Sequence, residues 1–92
     1  MFHFSELTSI DDPFLPAWLD LYETAFIPGE RMLISTYLRL LKNRDDPESL
    51  RHHILAVVEP CSESVETLAG IVHYRTSEEL RLATLWYLAI QP

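Results

Sequence analysis

The segment LATLWYLAI, residues 82 to 90, constrains the fold more than any other part of the chain. Eight of its nine residues are apolar or aromatic, and none is charged. Because side chains alternate between the two faces of a strand, both faces of this segment are apolar. Such a strand is typical of a sheet that is covered on both sides.

The chain begins with a predicted short strand over residues 2 to 10, anchored by Phe2, Phe4 and Leu7. Asp11-Asp12-Pro13 then signals a helix start, since carboxylates compensate the free amides of a first turn and proline is tolerated there. Apolar residues follow at helical spacing until Pro28-Gly29 ends the helix. This predicted face comprises Leu15, Trp18, Leu21, Tyr22, Ala25 and Phe26.

A second helix is predicted to begin at Glu30, and the polar run KNRDDPES (42 to 49) is predicted to be a loop. The spacing of aromatic residues in both helices favours packing in a core over a binding role. The apolar face of the second helix comprises Leu33, Ile34, Tyr37, Leu38 and Leu41.

Three strands are predicted next, at 52 to 59, 67 to 76 and 82 to 90, with turns at PCSESVE and SEELR. Short connections imply antiparallel neighbours, hence a meander. In the middle strand Leu68, Gly70, Val72 and Tyr74 are expected on one face, and Ala69, Ile71, His73 and Arg75 on the other. The sequence thus predicts one α+β domain over residues 1–92, in the order β-α-α-β-β-β, with two helices on one face. The other face lacks a predicted cover, so we expect this to be part of a larger domain.

Composition excludes several classes of function. The formal net charge is −7 and the seven basic residues are scattered, which argues against a nucleic-acid partner and leaves an acidic nucleic-acid mimic as a minor alternative. The single cysteine, Cys61, lies in an acidic stretch and is predicted to be an inert loop residue. The sequence contains no apolar run of the about 20 residues that a membrane-spanning helix needs, and no signal peptide is recognisable. A cytoplasmic protein is therefore expected.

The residues offer few catalytic motifs. His52 and His53 are adjacent in a strand and point to opposite faces, while His3 and His73 are isolated in sequence, so no metal site is predicted. With two glycines there is no glycine-rich phosphate loop. Among the acidic turn residues, Glu79 is a weak candidate for a general base.

The order of elements and three stretches resemble the N-terminal half of the GNAT superfamily of N-acetyltransferases. LYETAFIPGER (21 to 31) is similar to the end of that family's first helix and the loop covering its acceptor site. HHILAVVE and LAGIVHYR are similar to its second and third strands, and ATLWYLAIQP (83 to 92) to its fourth. The family's pyrophosphate-binding motif, Arg/Gln-x-x-Gly-x-Gly/Ala, is expected after such a fourth strand and is not found in these 92 residues.

The resemblance implies transfer of an acetyl group from acetyl-CoA to an amine acceptor. The fourth strand of the family bulges, and its backbone pairs with the pantetheine arm and polarises the thioester carbonyl. By position, these cofactor-binding groups belong to Leu88, Ala89 and Ile90. The resemblance also implies an acceptor pocket formed by Phe26, Ile27, Glu30 and Arg31.

Two hypotheses follow. In the first, the chain is the N-terminal half of a GNAT acetyltransferase and is inactive alone, because the pyrophosphate-binding motif is absent. In the second, it is a complete small α+β binding module without catalytic activity, and a homodimer covers the bare face of the sheet.

Overall fold

The computed structural model of the protein describes residues 1–62 and 65–91, with Ser62 described by its backbone alone. The chain forms four strands and three helices within these residues. In chain order they are β1 (His3–Glu6), α1 (Leu15–Ala25), α2 (Ile34–Lys42), α3 (Pro47–Arg51), β2 (His52–Ser62), β3 (Val65–Ser77) and β4 (Leu82–Ile90).

The strands form one antiparallel sheet in the order β1-β2-β3-β4, which confirms the predicted α+β class and the meander. The hairpin between β2 and β3 is tighter than predicted, because pairing continues to Ser62 opposite Val65. The predicted turn residues 63 and 64 lie outside the described residues. Cys61 is exposed, but it lies in β2 and not in a loop.

The first helix begins at Leu15, so Pro13 of the predicted start signal precedes it and does not lie in its first turn. The Asp12 carboxylate accepts a hydrogen bond from the Phe14 amide at 2.8 Å, and Pro16 lies in the first turn, where its missing amide costs nothing. The helix ends at Ala25 because Phe26 is extended. The predicted apolar face is confirmed for its four buried members, Leu15, Trp18, Leu21 and Tyr22. It is wrong at Ala25, which is exposed, and Phe26 is half-buried beyond the end of the helix.

The second helix differs from its prediction. It begins at Ile34, four residues after Glu30, because residues 28–30 form a turn. Leu33 is 73% exposed and Leu38 37% exposed, so the predicted face is wrong at these two positions. The buried residues are Tyr37, Leu40 and Leu41.

A third helix, α3, replaces the second half of the predicted loop. Asp46 caps it by accepting a hydrogen bond from the Glu48 amide at 3.0 Å, and Pro47 occupies the first turn. The Asp46-Pro47 pair, which lies within the predicted loop, therefore starts a helix.

The core lies between the helices and one face of the sheet. Trp18, Tyr22 and Tyr37 are fully buried there and pack on one another with ring centroids 4.9 to 5.6 Å apart. The sheet contributes buried residues from β2 and β3, chiefly Ile54, Ala56, Val58, Leu68, Ile71 and His73. No described helix is long and apolar enough to cross a membrane.

The opposite face of the sheet, called here the open face, carries no described helix. Phe2 and Phe4 lie on it at 60% and 68% exposure, so they do not anchor the first strand in the core, whereas Leu7 is buried. An apolar concavity of about 330 Å³ runs across the open face. Its lining residues are Phe2, Phe4, Val57, Ala69, Gly70, Val72, Leu88 and Ile90.

A β-bulge in β3 corrects the predicted division of its two faces. Val57 pairs with Gly70 but Val58 pairs with Leu68, so Ala69 is an extra residue on β3. Leu68 consequently joins the core, while Ala69 lines the open face, the reverse of the prediction for both. Strict alternation cannot be followed through a bulge.

Candidate functional site

The candidate site is an open concavity of about 370 Å³ between the loop that joins α1 to α2 and the middle of β4. Phe26 and Glu30 line it from the loop, and Trp86 and Tyr87 line it from the strand. Three of the four lining residues are aromatic and the fourth is a carboxylate.

Tyrosine side chains hold the loop to β4 and to α1. The Tyr87 hydroxyl donates a hydrogen bond to the Glu30 carbonyl at 2.6 Å, and the Tyr22 hydroxyl accepts one from the Met32 amide at 2.6 Å. The Phe26 ring packs edge-on against the Tyr87 ring, with centroids 5.0 Å apart. Aromatic contacts and hydrogen bonds thus fix the Phe26 side of the concavity.

A second bulge places Trp86 at the site. His73 pairs with Tyr87 and Tyr74 pairs with Leu85, so Trp86 is an extra residue on β4. A bulge interrupts the hydrogen-bond ladder and re-aims the side chain it carries. The Trp86 ring lies against the rings of His52 and His73, at centroid distances of 5.0 and 5.1 Å.

A buried hydrogen-bonded chain lies behind Trp86. The Tyr37 hydroxyl is 2.9 Å from Nδ1 of His73, and Nε2 of His73 is 2.8 Å from Nδ1 of His52. Nε2 of His52 is 3.1 Å from the Glu48 carboxylate, which also receives two hydrogen bonds from Arg75, at 2.8 and 2.9 Å. We call these five residues the histidine chain.

The charge state of Glu48 determines which partner donates in each hydrogen bond of the histidine chain. Hydrogen bonds from Arg75 lower the Glu48 pKa to about 2, so the carboxylate is ionised and can only accept. His52 therefore donates through Nε2 and accepts at Nδ1 from His73, which in turn accepts from the Tyr37 hydroxyl. Both imidazoles are satisfied in the neutral form.

Burial keeps these groups neutral. Desolvation lowers the pKa of His73 to about 3, with a further contribution from neighbouring His52, and it also lowers the pKa of His52. Burial likewise raises the pKa of Tyr37, and that of Tyr22 to about 12. The Tyr22 ring packs edge-on against the rings of Tyr37 and Tyr87, with centroids 5.0 and 4.9 Å apart, so aromatic side chains extend from the histidine chain to the concavity.

The structure brings together two of the four predicted acceptor-pocket residues. Phe26 and Glu30 line the same concavity. Ile27 is 64% exposed, and Arg31 lies in a neighbouring groove of about 240 Å³, where it pairs with the Glu23 carboxylate at 3.5 Å.

The predicted cofactor-binding residues lie on β4 just beyond the bulge. Leu88 and Ile90 face the open side of the sheet, and Ala89 packs against the core. All three pair regularly with β3, and β4 is an edge of the described sheet, so alternate backbone groups point away from β3. Glu79 lies in the exposed turn before β4 and is not among the lining residues of the site concavity, the groove beside Arg31 or the concavity of the open face.

Sequence reasoning missed Trp86, Tyr87 and the histidine chain. Trp86 and Tyr87 belong to an apolar run that indicates only a strand, and His73 lies 21 residues from its partner His52. One signal was present: histidine is rarely placed at an inward position of a strand unless it finds a partner. The buried partners could have been sought at the inward positions of β2.

Comparisons of the chain with protein-family models, with curated proteins and with solved structures found no significant match in any of the three.

Proposed function

We propose that the chain is the acceptor-side part of a GNAT N-acetyltransferase, which transfers an acetyl group from acetyl-CoA to an amine. The observation that carries the proposal is the bulge at Trp86, on the fourth strand and beside the loop between the first two helices. The GNAT resemblance predicts a bulged fourth strand and an acceptor loop at these two places.

The bulge supports a role for backbone groups. An extra residue in a strand leaves its peptide unit outside the regular ladder, so we propose the Trp86 amide as a donor to the substrate. A preorganised amide stabilises the negative charge that develops on a thioester carbonyl oxygen during acyl transfer. Leu88, Ala89 and Ile90 follow directly and are proposed to accompany the pantetheine arm through their backbone groups.

The reaction proposed is a direct transfer. The neutral amine nitrogen bonds to the acetyl carbonyl carbon, and the carbon–sulfur bond breaks as the tetrahedral intermediate collapses. The nitrogen gives one proton to a base or to water, and the departing thiolate takes up one proton. The products are an N-acetylated amine and coenzyme A.

The pyrophosphate of the coenzyme needs a further binding element. Backbone amides of a glycine-rich turn at a helix N-terminus are suited to an anion of this kind. The chain holds two glycines, Gly29 and Gly70, and neither lies in an Arg/Gln-x-x-Gly-x-Gly/Ala pattern. We therefore place these residues in a longer protein that supplies the motif, and we expect the 92-residue chain alone to be inactive.

Two measurements test the proposal. The natural polypeptide, in the form the cell makes it, is incubated with acetyl-CoA and a panel of primary amines, and free coenzyme A thiol is quantified. Amine-dependent thiol release is expected, and its absence with every amine would refute acetyl transfer. The 92-residue chain is titrated with acetyl-CoA by calorimetry. Micromolar binding would contradict the need for a separate pyrophosphate motif.

A second candidate function is a dimerising binding module, which the open face favours. Leu88 and Ile90 are 53% and 75% exposed there, beside an apolar concavity, and β4 presents a nine-residue edge without charge or proline. Uncovered edges of this length invite pairing with another strand. In this module a second copy of the chain packs on the open face.

Sedimentation separates this module from the acetyltransferase. A dimer that Leu88→Lys converts to a folded monomer would support the module. A well-folded wild-type monomer, with a dispersed amide spectrum, would contradict it. Thr84→Lys, also on β4 and exposed, is the matched control for added charge, because Thr84 pairs with Arg75 on the helix side.

A further inference from the structure

The charge that lines the site concavity is negative. Glu30 is the charged residue among its described lining residues, and the other three are Phe26, Trp86 and Tyr87. The next residue, Arg31, turns away into the neighbouring groove. Its guanidinium contacts the Glu23 carboxylate at 3.5 Å and the Glu23 carbonyl at 3.3 Å. No cation among the described residues therefore neutralises Glu30 at this site.

The imidazole rings in contact with Trp86 and Tyr87 are uncharged. Trp86 packs on His52 and His73, and Tyr87 stacks on His73 with centroids 6.1 Å apart. The histidine chain satisfies both imidazoles in their neutral form, so neither ring competes as a cation for the adjacent aromatic groups. The wall is supported by neutral aromatic groups.

This combination suits a particular class of ligand. Aromatic rings attract a cation through their quadrupole, and several rings around one site are characteristic of alkylammonium recognition. A carboxylate at the rim adds attraction at long range. A neutral apolar ligand gains nothing from Glu30, and an anion is repelled by it. A concavity of about 370 Å³ is of the size that holds a small organic molecule.

We propose that Phe26, Trp86, Tyr87 and Glu30 form a binding site for small alkylammonium cations. This inference names the substrate class of the acceptor site and rests on the proposed function for its catalytic meaning. Binding itself requires neither acetyl-CoA nor the pyrophosphate motif, so the 92-residue chain is sufficient for the test.

The test compares choline with 3,3-dimethylbutan-1-ol, which has nearly the same shape but no charge. The chain has two tryptophans, and the indole N–H of Trp18 is buried and bonded to the Leu55 carbonyl at 2.9 Å. In a two-dimensional nitrogen–proton NMR titration, choline should shift the Trp86 indole peak and leave the Trp18 peak in place. The neutral isostere should bind about tenfold more weakly or not at all.

Variants separate the contributions of the carboxylate and the rings. Glu30→Gln should weaken choline binding about threefold to tenfold and reduce its dependence on salt. Trp86→Phe keeps a ring beside the histidines and should weaken binding less than Trp86→Leu. Glu78→Gln, in the exposed turn before β4, makes the same charge change away from the site and should leave the affinity unchanged.

The outcomes distinguish this inference from the proposed function. Equal binding of the two isosteres, or no shift of the Trp86 peak at millimolar choline, would overturn the cation site. Acetyl transfer to neutral amines without preference for cationic ones would also overturn it while leaving the acetyltransferase intact. Selective choline binding by a protein that releases no coenzyme A with any amine would support the cation site and refute the acetyltransferase.

Discussion

The Nδ1 atom of His52 lies 2.8 Å from the Nε2 atom of His73, and both rings are buried between the sheet and the helices. Two basic side chains share this interior because one donates and the other accepts, which neutral imidazoles can do. The pair links the surface carboxylate of Glu48 to the buried hydroxyl of Tyr37. Stability of the fold should depend on each member.

Removing the central imidazole should destabilise the protein. His73→Ala leaves the Tyr37 hydroxyl and the His52 ring without their partners and opens a cavity, so we expect a loss of about 3 kcal/mol in the free energy of unfolding. Urea denaturation measures it. His3→Ala, at an exposed position, should change stability by less than about 0.5 kcal/mol. A loss below about 1 kcal/mol in His73→Ala would contradict a structural role for the histidine chain.

Acid should destabilise the wild-type protein in a defined window. The folded-state pKa of His73 is about 3, below the value of roughly 6.5 in the unfolded chain, and that of His52 is also lowered. Between the two pKa values of His73 the unfolded state binds more protons, so stability falls as pH decreases from 6.5 toward 3, by up to about 1.4 kcal/mol per pH unit for His73. The lowered pKa of His52 acts in the same direction.

Glu48 acts in the same direction at lower pH, since its pKa of about 2 in the folded state makes its contribution disappear as the carboxylate is protonated. The measurement is a series of urea midpoints from pH 7 to pH 4. His73→Gln cannot titrate, so its midpoints should vary less steeply with pH. An equal slope in both proteins would show that His73 is not the group responsible.

Gly70 should not tolerate a side chain. A Cβ atom there would lie 2.9 Å from the Ala89 carbonyl oxygen, a backbone atom that cannot move without disturbing the pairing of β3 with β4. We expect Gly70→Ala to cost about 1 to 3 kcal/mol in unfolding free energy. Gly29→Ala meets nothing within 4 Å and serves as the control. It should be neutral or stabilise by up to about 1 kcal/mol, because it restricts the unfolded chain.

The hydroxyl of Tyr87 should hold the loop between α1 and α2 in place. Tyr87→Phe removes the 2.6 Å hydrogen bond to the Glu30 carbonyl, and we expect a loss of about 1 kcal/mol. Amide hydrogen exchange should accelerate at Glu30, whose N–H bonds to the Ile27 carbonyl within the same loop. Tyr74→Phe is the matched control, because the Tyr74 hydroxyl has no hydrogen bond among the described residues. Unchanged exchange at Glu30 would mean that ring packing alone fixes the loop.

Local signals predicted the parts of the fold that depend on near neighbours. The spacing of Trp18 and Tyr22 defines a helix face, and the short connections before β3 and β4 leave antiparallel pairing as the only simple arrangement. The Asp46-Pro47 pair shows the limit of such signals. The same two residues can stop one helix or cap the next, and only the packing of Ser49 and Glu48 on the sheet decides between them.

The sequence by itself determined the α+β class, the order of β2, β3 and β4, and the apolar character of β4. Tertiary structure alone decided the two bulges, which moved Leu68 into the core and inserted Trp86 beside the histidines. It also decided the meeting of His52 with His73 and of Glu30 with Tyr87. The physical reason is that the spacing of apolar residues indicates which face of the sheet a residue lies on only as long as strand pairing is regular. A bulge changes which residues share a face. A hydrogen bond between residues far apart in sequence does not alter the spacing of apolar residues around either partner.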